Sequence, residues 1–253
     1  MAIYFISDFH LGVPSIEDSQ MREKKLLRFL DSIKSDCEEL FLMGDLFDFW
    51  FEYKTVIPKG FVRLQGKLAS FVDDGIPVHL FIGNHDLWSF GYLNNELGIQ
   101  LHREPEIITR KGKKLFLVHG DGRGPGDKGY KFLKKVFECK FNQFLFRWLH
   151  PDLGIGLALK WSHNHRLKKL RKEVECGYYN DVEKTRLYQY AQEQAQLDPS
   201  IDFFIFGHQH KPMQYATGEL AQTTVVGNWI RDFSYAVFDG ESVDLKRFEE
   251  KQI

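Results

Sequence analysis

Short apolar runs alternate with helix-patterned segments along this chain, and five of those runs stop on residue types that bind metal. Residues 2–6, 40–43, 77–82, 114–118 and 202–206 are followed in turn by DFH (Asp8, His10), GDLFD (Gly44, Asp45, Asp48), GNHD (Gly83, Asn84, His85, Asp86), HGD (His119, Gly120, Asp121) and GHQH (Gly207, His208, His210). Runs of this length, rich in β-branched and aromatic residues, read as strands. Helical spacing over residues 20–35 (Leu26, Leu27, Leu30, Ile33) and over 60–73 places helices between them, so the first half predicts an α/β fold with parallel strands. Side chains at strand ends are well placed for chemistry, because the sheet fixes the backbone and the loop aims the group.

The chain has 253 residues, 43% of them hydrophobic, enough for one large domain with a substantial core. We take it as a single domain over 1–253. Residues 106–110 and 114–118, joined by RKGK, predict a hairpin, and strands are expected again at 202–206, 222–226, 234–238 and 243–248. Between them, about 125–196 opens with the loop GDGRGPGDKG and reads as a helical insertion. Three cysteines without a CxxC pair argue against a disulfide framework and fit a reducing compartment. The start MAIYFISDFHLG reads as a strand entering a loop, not a signal peptide, and no apolar stretch is long enough to span a bilayer. A cytoplasmic protein is expected.

Taken singly, each polar loop is a weak signal, since a strand-terminal Asp is often a helix cap and a His beside Gly is often a turn residue. Five in fixed order are a different matter. Asp and His together suit borderline divalent metals such as manganese, iron or zinc. One carboxylate can bridge two such ions, as two-metal hydrolases require, and adjacent glycines let the backbone turn sharply towards them.

The blocks DFH, GDLFD, GNHD, HGD and GHQH resemble the signature of the calcineurin-like metallophosphoesterases, over Asp8 to His210. The resemblance implies a four-layer αββα sandwich, here with a helical cap insertion. It implies two divalent metal ions, Mn with Fe or Zn as alternatives. Asp8, His10, Asp45 and His210 would hold one; Asp45, Asn84, His119 and His208 would hold the other, with Asp45 bridging. It also implies that His85, with Asn84, meets the phosphate, and that water attacks phosphorus. Asp86 would orient His85 through its second ring nitrogen, or serve as a loop cap.

The insertion narrows the substrate. Residues 128–186 carry 14 Lys and Arg against 6 Asp and Glu, a basic segment on an acidic body. Tyr130, Phe132, Phe137, Phe141, Phe144, Phe146, Trp148 and Trp161 interleave there with Lys131, Lys134, Lys135, Lys140 and Arg147. This reads as an interfacial element or acyl-chain pocket, or as a structural cap with solvated lysines. The DLFDFW stretch, HGDG with its Gly–Asp–Lys–Gly–Tyr run, HNHRLKKLRK and the passage from GHQHKP to VVGNW are similar to the UDP-2,3-diacylglucosamine hydrolases of lipid A synthesis. That family implies a nucleotide-linked acylated sugar as substrate, cleavage of its pyrophosphate to UMP and the acylated sugar 1-phosphate, and peripheral contact with the inner membrane surface. The best-known members have Arg at the position of His85.

Candidate substrate contacts are Arg123 in the Gly-rich loop, able to meet phosphate bidentately, and Asn164, Lys168, Lys169 and Arg171 in the cap, which equally suit a solvated basic face. Trp50 and Phe51 are read as pocket wall or core. The competing readings are a soluble phosphodiesterase or nucleotide pyrophosphatase without a lipid substrate, a nuclease, and a non-catalytic scaffold. The dense Phe content disfavours nucleic acid as a partner, and the complete set of blocks disfavours the scaffold. Oligomeric state is not legible.

Overall fold

The computed structural model describes residues 1–162 and 182–249. Its strands are β1 (Ala2–Ile6), β2 (Cys37–Leu42), β3 (Val78–Phe81), β4 (Gln100–His102), β5 (Glu106–Arg110), β6 (Lys113–Val118), β7 (Phe203–Phe206), β8 (Met213–Thr217), β9 (Ala221–Val225), β10 (Ser234–Phe238) and β11 (Val243–Arg247). They form two sheets, a six-stranded one in the order β11-β10-β1-β2-β3-β4 and a five-stranded one in the order β5-β6-β7-β9-β8. The central pairings β1–β2, β2–β3 and β3–β4 in the first sheet, and β6–β7 and β7–β9 in the second, are parallel. The hairpin expected between residues 106 and 118 is the antiparallel pair β5–β6.

Side chains alternate across each strand, so every central strand feeds two cores. Ile3 and Phe5 of β1, Phe41 of β2, Leu115 and Leu117 of β6, and Phe203 and Ile205 of β7 meet between the sheets. Tyr4 and Ile6, Leu40 and Leu42, and Val78 and Leu80 face the other way, onto helices α1 (Ile16–Ile33) and α2 (Val62–Asp73). Phe116, Val118, Phe204 and Phe206 face helix α7 (Arg186–Leu197) through Leu187, Ala191 and Ala195. The result is helix, sheet, sheet, helix. Burial on both faces is why these strands read as nearly unbroken apolar runs.

Helix α1 starts where Ser15 accepts a bond from the Asp18 N–H at 3.0 Å, with Glu17 and Asp18 in its first turn. That is the side-chain cap and charge a helix N-terminus favours. It buries Leu26, Phe29, Leu30 and Ile33, a single 3.6-residue stripe.

Between β6 and β7 the described elements are α3's successors: helices α4 (Lys128–Glu138) and α5 (Lys140–Arg147), a helix α6 described over 151–162, a short 3₁₀ turn (Val182–Lys184) and α7; α3 itself is the short helix Tyr92–Leu97. Helix α7 covers the second sheet, so the last part of the helical stretch expected over 125–196 is a layer of the sandwich. Helices α4 and α5 bury no residue fully. They contact the loops that follow β3 and β6, through Trp88 and Asp121. Among the described residues no helix is long and apolar enough to cross a membrane.

Candidate metal centre

The loops after β1, β2, β3, β6 and β7 converge at one end of the sandwich. The backbone N–H of Asp8 donates to the Gly44 carbonyl and that of His10 to the Asp45 carbonyl, both at 3.0 Å, so the first two loops continue the strand pairing past the sheet. Gly207 N–H donates to the His119 carbonyl at 2.9 Å, joining the last two. Asp8, His10, Asp45 and His208 all have positive φ, between 43° and 63°. A non-glycine residue is rarely held in this left-handed region, and such strain concentrates at functional sites. Two glycines have no room for a side chain. A Cβ at Gly83 would run into the Asp45 carboxylate, and one at Gly207 into Ser7 and, at 3.0 Å, Asp8 Oδ2.

Six side chains form two clusters around one carboxylate. Asp8, His10 and His210 are one set and Asp45, His119 and His208 the other, each with a ligand atom within 4.8 Å of the others. Asp45 Oδ2 lies between the two sets, 3.6 Å from His10 Nε2 and 3.4 Å from His119 Nε2. His10 Nε2 and His210 Nε2 face each other at 3.1 Å, and Asp8 Oδ1 lies 3.2 Å from His210 Nε2. Outer contacts fix several of these groups. His119 Nδ1 donates to the Met43 carbonyl at 2.5 Å, Asp8 Oδ2 accepts from Ser7 Oγ and from the His208 N–H, and His10 Nδ1 lies 3.5 Å from Asp48 Oδ1. Holding the second imidazole nitrogen on a carbonyl or carboxylate is how proteins aim a histidine at a metal.

These residues fit a pair of divalent cations. Among the described residues, Asp8 Oδ1, Asn84 Oδ1 and His119 Nε2 are buried without a hydrogen-bond partner, whereas buried polar atoms are nearly always satisfied. The donors are carboxylate, imidazole and amide oxygen, a borderline set suited to manganese, iron or zinc. The electrostatics agree. Burial works against the charge of Asp8 and Asp45, yet the surrounding imidazoles, His10 and His210 for the first and chiefly His119 and His85 for the second, hold both carboxyls well below the usual range. Burial likewise disfavours a charged His119, but Asp45 outweighs it and lifts that imidazole to about 10. The centre draws in positive charge.

His85 joins this centre, its ring 4.7 Å from that of His10 and edge-on to it. Burial outweighs the attraction of Asp45 and, with repulsion from His10, pushes its imidazole down. Its Nδ1 donates to the Asp48 carbonyl at 2.6 Å. Of the two roles expected for Asp86, the loop cap is the one its hydrogen bonds support. The Asp86 carboxylate takes the N–H groups of Gly83 at 2.6 Å and Leu46 at 2.9 Å. It is a fully buried loop cap, and burial and the charge of Asp45 raise it to about 7. The group that orients His85 is Asp48, whose place in the GDLFD block was the available signal. Trp50 and Phe51 are core, each fully buried; Trp50 stacks on Phe47 and donates to Glu52. Arg123 donates to Glu104 at 3.0 Å, so a phosphate would compete with that carboxylate. Asn164, Lys168, Lys169 and Arg171 lie outside the described residues.

The cap is tied down beside the centre. Asp121, two residues past His119, receives Tyr130 Oη at 2.7 Å and Lys134 Nζ at 2.8 Å from α4. Ser162 Oγ of α6 donates to Asp48 Oδ2 at 3.0 Å. Trp88, just after the GNHD block, donates to the Phe137 carbonyl and packs on Phe137 and Phe146. The cap aromatics therefore divide. Phe137 and Phe146 turn inward, while Phe132, Phe141, Phe144 and Trp148 are 51–76% exposed.

A family model described as calcineurin-like phosphoesterase matches residues 1–212. The chain belongs to the calcineurin-like phosphoesterase family. Its curated relatives include a UDP-2,3-diacylglucosamine hydrolase of Porphyromonas gingivalis, 35% identical over 264 residues that cover 99% of this chain and 98% of the relative. Proteins of the same description from Histophilus somni, 27% identical and covering 89% and 91%, and from Shewanella baltica, 26% identical and covering 97% of each, also match. Among solved structures, a phosphoesterase from E. coli aligns over 98% of this chain and 93% of its own, with 15% identity and a TM-score of 0.47. The family makes this chain a metal-dependent hydrolase.

Proposed function

We propose that this enzyme hydrolyses the diphosphate bond of UDP-2,3-diacylglucosamine to UMP and 2,3-diacylglucosamine 1-phosphate. The curated relatives that carry this activity in their names align with it over nearly their whole length. The observation that carries the chemistry is the position of Asp45 Oδ2 between two histidine sets, 3.6 Å from one and 3.4 Å from the other. Asp8, His10 and His210 would hold one cation, Asn84, His119 and His208 a second, and Asp45 both. Manganese, with iron or zinc as alternatives, supplies Lewis acidity when bound and makes a water more acidic.

The protein's own groups do the rest. The strained backbones of Asp8, Asp45 and His208 set their donors before substrate arrives, so no reorganisation is needed at the moment of reaction. With Nδ1 committed to the Asp48 carbonyl, His85 has Nε2 left for the reacting phosphate, where it stabilises developing charge or protonates the leaving oxygen. Water adds to the α-phosphorus, the bond from that phosphorus to the bridging oxygen breaks, and the bridging oxygen leaves with the sugar 1-phosphate. The cap shelters the acyl chains with Phe137, Phe146 and Trp88. Its exposed Phe132, Phe141, Phe144 and Trp148, set among Lys135, Lys140 and Arg147, suit peripheral contact with an anionic membrane surface.

Turnover of UDP-2,3-diacylglucosamine in ¹⁸O water tests this reading. One label is expected in UMP and none in the sugar phosphate. Label in the sugar phosphate would move the attack to the other phosphorus. Hydrolysis of a simple aryl phosphodiester without turnover of the lipid would favour a phosphodiesterase or nucleotide pyrophosphatase that takes no acyl chain.

A further inference from the structure

A second opening borders the metal cluster at His210. It is a cavity of about 370 Å³ lined by His210, Lys211, Asn228, Arg231, Asp232 and Arg247, with Pro212 and Ile230 as its apolar edge. That volume lies in the range of small-molecule sites. His210 is shared: its Nε2 stands 3.2 Å from Asp8 Oδ1 in the cluster, and the residue also forms part of the cavity wall. No described cap residue lines this opening.

The cavity is built and held. Asn228 is 4% exposed and uses its whole amide. Its Nδ2 donates to the His210 carbonyl at 2.5 Å and to Asp232 at 2.6 Å, and its Oδ1 accepts the N–H groups of Ile230 and Arg231, both at 2.8 Å. The neighbouring Trp229 is fully buried, and its N–H donates to the Asp8 carbonyl at 3.1 Å. The turn over 228–232 is therefore pinned to two residues of the cluster. Lys211, Arg231 and Arg247 line the cavity with one carboxylate, Asp232, which is already shared between Asn228 and Arg247, the latter at 3.3 Å, so that it leaves Arg231 to a ligand. The wall thus presents Arg231 beside the place where phosphorus reacts.

Resting on the hydrolase reading above, we infer that this cavity is the subsite for the nucleoside 5′-monophosphate half of the diphosphate. The two halves of such a substrate differ in kind. The acylated sugar suits the aromatic cap, and the polar anionic nucleotide suits a basic cavity with a narrow apolar edge. A linear diphosphate crossing the cluster would put one half on each side. Arg231, exposed and presenting a planar fork of donors, is placed to meet phosphate or the base carbonyls.

Calorimetric titration of UMP into the Mn²⁺-loaded protein tests the assignment, with inorganic phosphate as a second probe. UMP is expected to bind more tightly than inorganic phosphate. R231A and R231E are expected to weaken UMP by about tenfold or more, the worth of one charge-assisted contact, with metal content and circular dichroism as in the parent. UMP binding that is unmoved in both variants, or that is no tighter than inorganic phosphate, would overturn the subsite. The two readings fail separately. If the lipid substrate is turned over but R231E neither raises its KM nor weakens UMP, the subsite is wrong and the hydrolase stands. If UMP binds through Arg231 but the lipid is not hydrolysed, the cavity is a nucleotide site and the substrate is wrong.

Discussion

Asp48 shows how much of the centre depends on a residue that would hold neither cation. Its Oδ1 lies 3.5 Å from His10 Nδ1, its backbone carbonyl receives His85 Nδ1–H, and its Oδ2 receives the Ser162 hydroxyl. Replacing it by Asn removes the charge beneath His10 and keeps the shape. D48N is expected to weaken metal binding by about 10- to 100-fold, the usual cost of losing such an outer partner. S162A, which breaks only the link to the cap, should leave metal affinity unchanged. Competition against a chelator of known affinity measures both, and equal affinities for D48N and the parent would remove Asp48 from this role. The sequence placed Asp48 in the right block without its role, because GDLFD does not say which way a carboxylate turns. The choice between the two roles of Asp86, partner of His85 or loop cap, was open in the sequence for a related reason. Neighbours in sequence on a tight loop point apart, and the buried N–H groups of Gly83 and Leu46 claim the Asp86 oxygens first. Trp50 and Phe51 look the same in sequence whether they wall a pocket or fill a core.

Between strands, the least expected feature is a polar chain at the edge where the two sheets meet. Glu39 on β2 accepts two bonds from Arg110 on β5, at 2.7 and 2.8 Å, and one from His79 on β3 at 2.8 Å. His79 contacts His102 on β4 at 3.0 Å, and His102 meets Glu106 on β5 at 2.7 Å. Burial works against charge on Glu39, but Arg110 and His79 prevail and lower it from 4.5 to about 2. A carboxyl depressed on folding adds stability that is complete above its unfolded value and is lost as pH falls through the folded one. Glu39 should therefore contribute about 3 kcal/mol near neutrality, fading between pH 4.5 and about 2. Urea unfolding of E39Q is expected to show that deficit near neutral pH and little of it in strong acid; a deficit independent of pH would discard this account. The cap offers a second test at this scale. D121A frees Tyr130 and Lys134 of α4, and is expected to raise KM for the acylated substrate more than for a small aryl phosphodiester. Equal effects on both would mean that Asp121 serves only the centre. The short edge strands β4 and β8 escaped the sequence reading. β4 has three residues, and β8 alternates Met213, Gln214, Tyr215, Ala216 and Thr217 with only its ends buried, so neither presents an apolar run. The central strands were legible because both of their faces are covered.

Across the whole molecule, the layered architecture follows from patterning, since strands buried on both faces demand a helix or a second sheet on each side. The helical segment between β6 and β7 was harder to divide. Helix α7 and the cap helices share an amphipathic pattern, and only contact with Phe116, Phe204 and Phe206 marks α7 as part of the sandwich. Stability of the whole should depend on the cations, because among the described residues Asp8 Oδ1, Asn84 Oδ1 and His119 Nε2 lack a hydrogen-bond partner and a cation would supply one. A cation at about a thousandfold excess over its Kd stabilises a fold by about 4 kcal/mol, or roughly 10 °C in a chain of this size. Scanning fluorimetry should show that fall on chelation and its recovery on adding Mn²⁺. An unfolding temperature indifferent to chelator would mean that these residues are not a metal centre.

The first strand, β1, lies between β2 and β10, and the donors grouped around Asp45 run from Asp8 to His210. A growing polypeptide cannot assemble the reacting centre when its first domain-sized stretch leaves the ribosome. Both histidines of the GHQH block arrive late, and β1 gains its second neighbour later still. A chain that stops short of His208 lacks donors from both sets and is expected to be without hydrolytic activity.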